Sequence, residues 1–222
     1  MQKILATIIF LIISLSCSEY RKKTEIRKAF KKFKGKYVLY VSKKYFFLEV
    51  YNRKIMPVNR YKIGYGRNPD KKHKLHEGDN RTPRGNYKIN EILSMDAHRD
   101  SPSYKTLRAL NRIYFKAKKG YHKQGRKNVD LGDNVYGPRY FGIDYPNELD
   151  KKQYKENIKK GIIKPVKGKI PGIGFGIAIH GNSDEKSIGH LCSSGCIRMF
   201  NNDIVELEKY VRINTPVIIS SH

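Results

Sequence analysis

Tryptophan is absent from the 222 residues, cysteine occurs only three times, and acidic residues are scarce: 20 Asp and Glu face 46 Lys and Arg, a formal net charge of +26. Three cysteines make no disulfide framework, which excludes the small stapled scaffolds. Long apolar runs are missing beyond the first sixteen residues, and a mean hydropathy of −0.65 excludes a multi-pass membrane protein. A phosphate-binding glycine loop is lacking too. Gly172-x-Gly174-x-Gly176 leads into a strand instead of opening a helix, and Gly161 to Lys169 has the wrong spacing for a P-loop. What is present suffices for a folded chain: 39% hydrophobic residues, with 16 Tyr and 9 Phe, exclude wholesale disorder. The length suits one well-cored domain. The charge alone leaves nucleic acid, an anionic membrane surface and an acidic polymer open as partners.

Residues 1–16 carry one positive charge, Lys3, ahead of an uncharged apolar run from Ile4 to Ile13. That run is too short for a bilayer span and reads as the n- and h-regions of an export signal. Cys17 follows directly after Ser16, and a small residue before a Cys at the end of an h-region resembles a lipoprotein signal, although Ser14 stands where such signals carry Leu. Export with a lipid on Cys17 is the expectation, placing the protein in the periplasm or cell envelope and weighing against nucleic acid. Residues 17–36, dense in Lys and Arg, read as a solvated basic tether in preference to a short amphipathic helix.

From Tyr37 the pattern turns to period two. Strands are expected over Tyr37 to Val41, Tyr45 to Val50, Arg60 to Gly64 and Asn86 to Ile92, with Thr82-Pro83-Arg84-Gly85 as a turn. Ser101-Pro102 opens a helix whose face carries Leu107, Leu110, Tyr114 and Ala117, and a loop is expected over 118–139. Tyr140 to Tyr145 reads as a strand, and Asn147 with Asp150 as the cap of a second basic helix. Gly176 to His180 is an apolar strand. Asn202-Asp203 starts a closing helix, and Pro216 to Ser220 is a final strand.

His180-Gly181 ends one of these strands, and Ser193-Ser194-Gly195-Cys196-Ile197-Arg198-Met199 follows after twelve residues. A His before Gly is presented at a strand edge, and small residues ahead of Cys196 let a substrate approach its sulfur. A thiol nucleophile needs a base or acid within reach, which His180 can supply, and backbone N–H groups around Gly195 and Cys196 can face a developing oxyanion. His180, His190, Cys192 and Cys196 are also metal donors, but their spacing matches no common zinc site, so no metal is expected. Cys192 and His190 read as incidental loop residues. The His-before-Cys order argues against papain-like and NlpC-type peptidases.

His-Gly followed by Ser-x-Gly-Cys-Ile-Arg-Met and Asn-x-Asp resembles the signature of the L,D-transpeptidase (YkuD-type) catalytic domain. Gly78, Asp79, Thr82, Pro83 and Gly85 match that family's upstream turn, and the resemblance runs over roughly residues 37–220. It implies a mainly β fold with flanking helices, a β-sandwich of mixed sheets. It further implies an exported cysteine acyltransferase acting on peptidoglycan stem peptides, with no cofactor. Cys196 is the implied nucleophile, forming a thioester; His180 is its base and then acid; the Gly181 carbonyl orients His180. Ser193, Ser194 and Gly195 would shape the oxyanion pocket, and Arg198 would buttress the loop or pair with a substrate carboxylate. Many members carry His where Ser194 stands, and the twelve-residue gap is short for the family. Peptidoglycan and, through the lipid, a membrane are the expected partners, with a monomer favoured. A hydrolase on the same substrate and a non-catalytic basic wall-binding protein are the alternatives.

Overall fold

The computed structural model describes residues 18–111, 114–117, 120–123 and 136–221. Cys17 and the expected export signal lie outside them. The described chain opens with helix α1 (residues 18–32), then strands β1 (Tyr37–Ser42), β2 (Phe47–Asn52), β3 (Pro57–Gly66) and β4 (Gly85–Ser94). Helix α2 (Pro102–Asn111) precedes β5 (Tyr114–Ala117), β6 (Gly120–Lys123) and β7 (Arg139–Ile143). After helix α3 (Glu148–Lys159) come β8 (Ala178–His180), β9 (Leu191–Ser193), β10 (Ile197–Met199), helix α4 (Asn201–Leu207) and β11 (Pro216–Ser220).

Nine strands form one sheet in the order β10-β8-β7-β4-β11-β1-β2-β3-β9, and β10 also pairs with β3. That extra pairing joins β10, at one end, to β3, the strand before the other end, so the sheet closes on itself like a barrel. It is mixed: β1 runs parallel to β11 and β10 parallel to β8, while most other neighbours are antiparallel. The main core lies inside, where Leu39, Val41, Leu48, Val50, Ile63, Phe141, Ile179, Ile197 and Val217 meet. Alternation along β1 sends Val38 and Tyr40 to the opposite face.

That outer face is covered by α1. Ile26 is wholly buried and Phe30 nearly so, packed with Val38, Tyr40, Tyr51 and Ile218. Lys22 bridges Glu19 (2.8 Å) and the buried Glu49 (3.5 Å), and lies 5.7 Å from the rings of Tyr40 and Tyr51. The expected basic tether is therefore corrected. Ile26, Ala29 and Phe30 stand three to four residues apart, one apolar stripe on an otherwise basic helix, and the sheet supplies the face that buries it.

The helix expected to continue to Ala117 ends at Asn111, whose side chain donates to Gly137 O (2.6 Å) and accepts from Tyr136 N (2.5 Å). Tyr114–Ala117 instead pairs antiparallel with Gly120–Lys123, inside what was expected as loop. Tyr114 and Phe115 are aromatic residues that favour strand over helix. The Asn147 cap is observed as a reciprocal box: its side chain accepts from Leu149 N and Asp150 N, and Asp150 accepts from Asn147 N.

Candidate active site

β8 lies between β7 and β10, with His180 opposite Tyr140 on one side and Arg198 on the other. Ile179, Ile197 and Phe141 point into the barrel, so the pleat turns Ala178, His180, Cys196 and Tyr140 outward. There Ala178, Cys196 and Tyr140 pack with Leu93 of β4 and Leu107 of α2. Cys196 precedes β10 by one residue. Strand spacing and rise put its Cα about 8 Å from that of His180, a span that two side chains on one face are long enough to bridge.

His180 is completely buried, and its Nδ1 lies 2.5 Å from the carbonyl oxygen of Gly181. A carbonyl only accepts, so Nδ1 carries the proton and the lone pair of the neutral ring falls on Nε2. Two tyrosines fix the ring plane. Tyr136 meets it edge-on with centroids 4.8 Å apart, and Tyr140 lies nearly parallel to it at 6.3 Å. Burial, and secondarily the proximity of Cys196, push the Tyr140 hydroxyl well above the usual phenol range, so it stays protonated.

The turn after His180 is held by Asn201 at the start of α4. Its amide accepts from Asn182 N (2.9 Å) and donates to Asn182 O (2.9 Å), while its own N–H donates to Glu185 (2.5 Å). Asn182 in turn donates to Asp184 O and Ser187 Oγ. A side chain on Gly181 would collide with Asn201 Oδ1 and with Pro138 at 2.7 Å, so glycine is required for this close approach.

The loop bearing Cys196 is stapled internally. Ser193 is wholly buried; its hydroxyl donates to Cys196 O (2.6 Å) and accepts from Gly195 N (3.0 Å). The Gly195 N–H is thus engaged inside the loop: a buried donor takes the nearest acceptor, and the Ser193 hydroxyl is two residues away. Gly195 itself adopts φ +150°, and a Cβ there would lie 2.8 Å from Ile177 Cδ1. Ser194 is exposed, and its hydroxyl accepts from Arg67 (3.2 Å), whose backbone N–H also donates to Ser193 O (2.8 Å). The Cys196 thiol is nearly buried and donates to Gly176 O at 3.5 Å.

Beneath this loop sits the Thr82 turn. Thr82 Oγ1 donates to Gly195 O (2.7 Å) and accepts from Gly66 N (2.9 Å). Asp79 organises the approach, accepting from Leu75 N (2.6 Å), Arg81 N (3.0 Å) and Lys74 Nζ (2.9 Å). Burial works to raise the Asp79 carboxyl, but these hydrogen bonds outweigh it and hold the group below its ordinary range.

Arg198 is wholly buried between β8 and β3, opposite His180 and Gly64, which fits a supporting residue better than a substrate contact. Cys192 is half-buried and faces Gly64 of β3, and His190 is exposed. Neither Cys192 nor Cys196 forms a disulfide. Among the described residues, no group of three or more His, Cys, Asp or Glu is arranged to hold a metal ion. Arg67, Asn201, Tyr136 and Tyr140 were not singled out from the sequence for this site. Tyr140 stood at the head of an expected strand, and the Asn-x-Asp after Met199 was the available signal for Asn201.

Cys196, one residue before β10, and His180 at the end of the neighbouring β8, with the histidine tautomer set by a main-chain carbonyl, form a candidate cysteine–histidine site on a closed, mainly β sheet. The chain belongs to the L,D-transpeptidase catalytic domain (YkuD) family, whose model matches residues 36–219. It is 32% identical over 110 residues to YqjB of Bacillus subtilis (strain 168), covering 49% of this chain and 48% of that protein. Over 42 residues it is 48% identical to YkuD of the same strain, covering 19% of this chain and 26% of that protein. The chain thus aligns with about half of one curated relative and about a quarter of the other. Among solved structures, Bd1075 of Bdellovibrio bacteriovorus matches with TM-score 0.49 and 23% identity, over 85% of this chain and 49% of that one. The helical cell shape determining protein Pgp2 of Campylobacter jejuni matches with TM-score 0.45 and 26% identity, over 84% and 47%.

Proposed function

We propose that this protein is an exported cysteine acyltransferase that remodels peptidoglycan stem peptides. Cys196 Sγ attacks the carbonyl carbon of the residue before the terminal D-residue, and its proton passes to His180 Nε2. The sulfur–carbon bond forms, the carbon–nitrogen bond breaks, and the imidazolium returns the proton to the departing amine. The thioester then passes its acyl group to an incoming amine, with His180 taking that proton and returning it to the thiolate. The observation that supports this reading most is the Nδ1–Gly181 O contact, which sets the tautomer with its basic lone pair on Nε2.

A lipid on Cys17 would tether the domain to the envelope, and the basic charge would keep it near anionic polymer or headgroups, an attraction that salt weakens. Incubation with disaccharide-tetrapeptide, followed by mass spectrometry, tests the reaction. A cross-linked dimer with release of the terminal residue supports transpeptidation. Tripeptide alone identifies water as the acceptor, a hydrolase, and neither product overturns the enzymatic reading.

A further inference from the structure

Most of the described lysines are exposed, but Lys43, directly after β1, is 1% exposed. A buried side-chain nitrogen has to be matched by acceptors. Lys43 Nζ donates to two main-chain carbonyls, Lys72 O at 2.8 Å and Thr82 O at 2.9 Å. Its own backbone is fixed on both sides: the N–H donates to Ser220 O of β11 (2.9 Å), and the carbonyl accepts from the Tyr65 hydroxyl of β3 (2.7 Å). The nitrogen thus extends from a rigid part of the barrel and holds both ends of the irregular segment between Lys72 and Thr82.

Thr82 is the residue through which this reaches the site. It is equally buried, and its hydroxyl meets Gly195 O, one peptide before Cys196. We infer that Lys43 is a positioning residue for Cys196, seating the Thr82 carbonyl so that the Thr82 hydroxyl holds the Gly195–Cys196 peptide in place. The inference rests on Cys196 being the nucleophile. Lys43 touches no reacting atom, and its effect falls on how well the thiol is aimed rather than on how tightly substrate binds.

The test compares Lys43→Met with Val38→Ala, a core truncation on the opposite, α1-covered face of β1. Each is measured for thermal melting, for kcat and KM on disaccharide-tetrapeptide, and for the iodoacetamide alkylation rate of the Cys196-bearing peptide. Lys43→Met is expected to lower kcat about tenfold with KM within about twofold, and to change the alkylation rate at least about threefold. Val38→Ala lowers the melting temperature without either change. Kinetic effects of Lys43→Met no larger than those of Val38→Ala overturn the inference. If Lys43→Met does not fold, Thr82→Val keeps the lysine's hydrogen bonds and removes the hydroxyl that links Gly195 O and Gly66 N; the same kcat loss supports the relay and a wild-type kcat overturns it. A wild-type protein inactive on the stem peptide defeats the proposed reaction, and the alkylation rates then decide the Lys43 inference separately.

Discussion

The Ser193 hydroxyl donates to the carbonyl oxygen of Cys196 at 2.6 Å and simultaneously accepts from the N–H of Gly195. One side chain thereby satisfies a buried acceptor and a buried donor on either side of the peptide that leads to the thiol. Ser193→Ala leaves both without that partner, at a cost of about 1–3 kcal/mol in urea unfolding. Because the released peptide carries Cys196, kcat on disaccharide-tetrapeptide should fall about tenfold or more. A variant that loses stability but keeps wild-type kcat would show that the staple serves folding alone.

Asn201 performs the corresponding task for His180. Its amide clasps Asn182 through both an acceptor and a donor, and so fixes the Gly181 carbonyl that sets the imidazole tautomer. Asn201→Ala should cost about 1–3 kcal/mol. It should also alter the pH dependence of kcat/KM, since the ring's hydrogen-bond partner is no longer held. Asn201→Asp keeps the acceptor toward Asn182 N and loses the donor toward Asn182 O, and should fall between the two. An unchanged pH profile in Asn201→Ala would sink this account.

What could be read in advance was what is local. The strands expected over Tyr37 to Val41, Tyr45 to Val50 and Pro216 to Ser220, the Asn147–Asp150 cap, and the small residues around Cys196 are all written in neighbouring positions. The partners of those small residues were not. Thr82 meets Gly195 across 113 residues and Arg67 meets Ser194 across 127, distances over which no periodicity speaks. The three-residue strands β9 and β10 are too short to show alternation, yet β10 closes the barrel. The same limit explains α1. Its apolar stripe is only Ile26, Ala29 and Phe30, and whether it is solvated or buried depends on the outer face of β1, β2 and β11.

That dependence makes α1 testable as part of the domain. Ile26 is fully buried, so Ile26→Ala should destabilise the protein by about 2–5 kcal/mol, as for other core truncations. Glu49→Gln should loosen the same contact, because Lys22, Arg60 and Tyr51 all converge on that buried carboxylate. A solvated tether would tolerate Ile26→Ala within about 0.5 kcal/mol, which urea unfolding distinguishes.

Lys43 gives the stability a pH dependence of unusual sign. Burial, then the positive fields of Arg84 and Arg81, push its amine down to about 7, against the opposing pull of Asp70 and Asp79. In the unfolded chain a lysine titrates near 10.4, so between about pH 7 and 10 the unfolded state binds a proton that the folded state does not. Stability contributed at this site therefore rises as pH rises through that window, and the burial penalty is largest below it. The neutral amine still has two N–H donors, enough for Lys72 O and Thr82 O, so the clamp survives deprotonation. Urea unfolding of the wild type and of Lys43→Met at about pH 6.5, 8 and 9.5 isolates the term, because the remaining titrations are common to both. The stability difference in favour of the wild type should grow from the lowest to the highest pH. A difference that stays constant, or shrinks, would mean that Lys43 keeps an ordinary ammonium inside the fold.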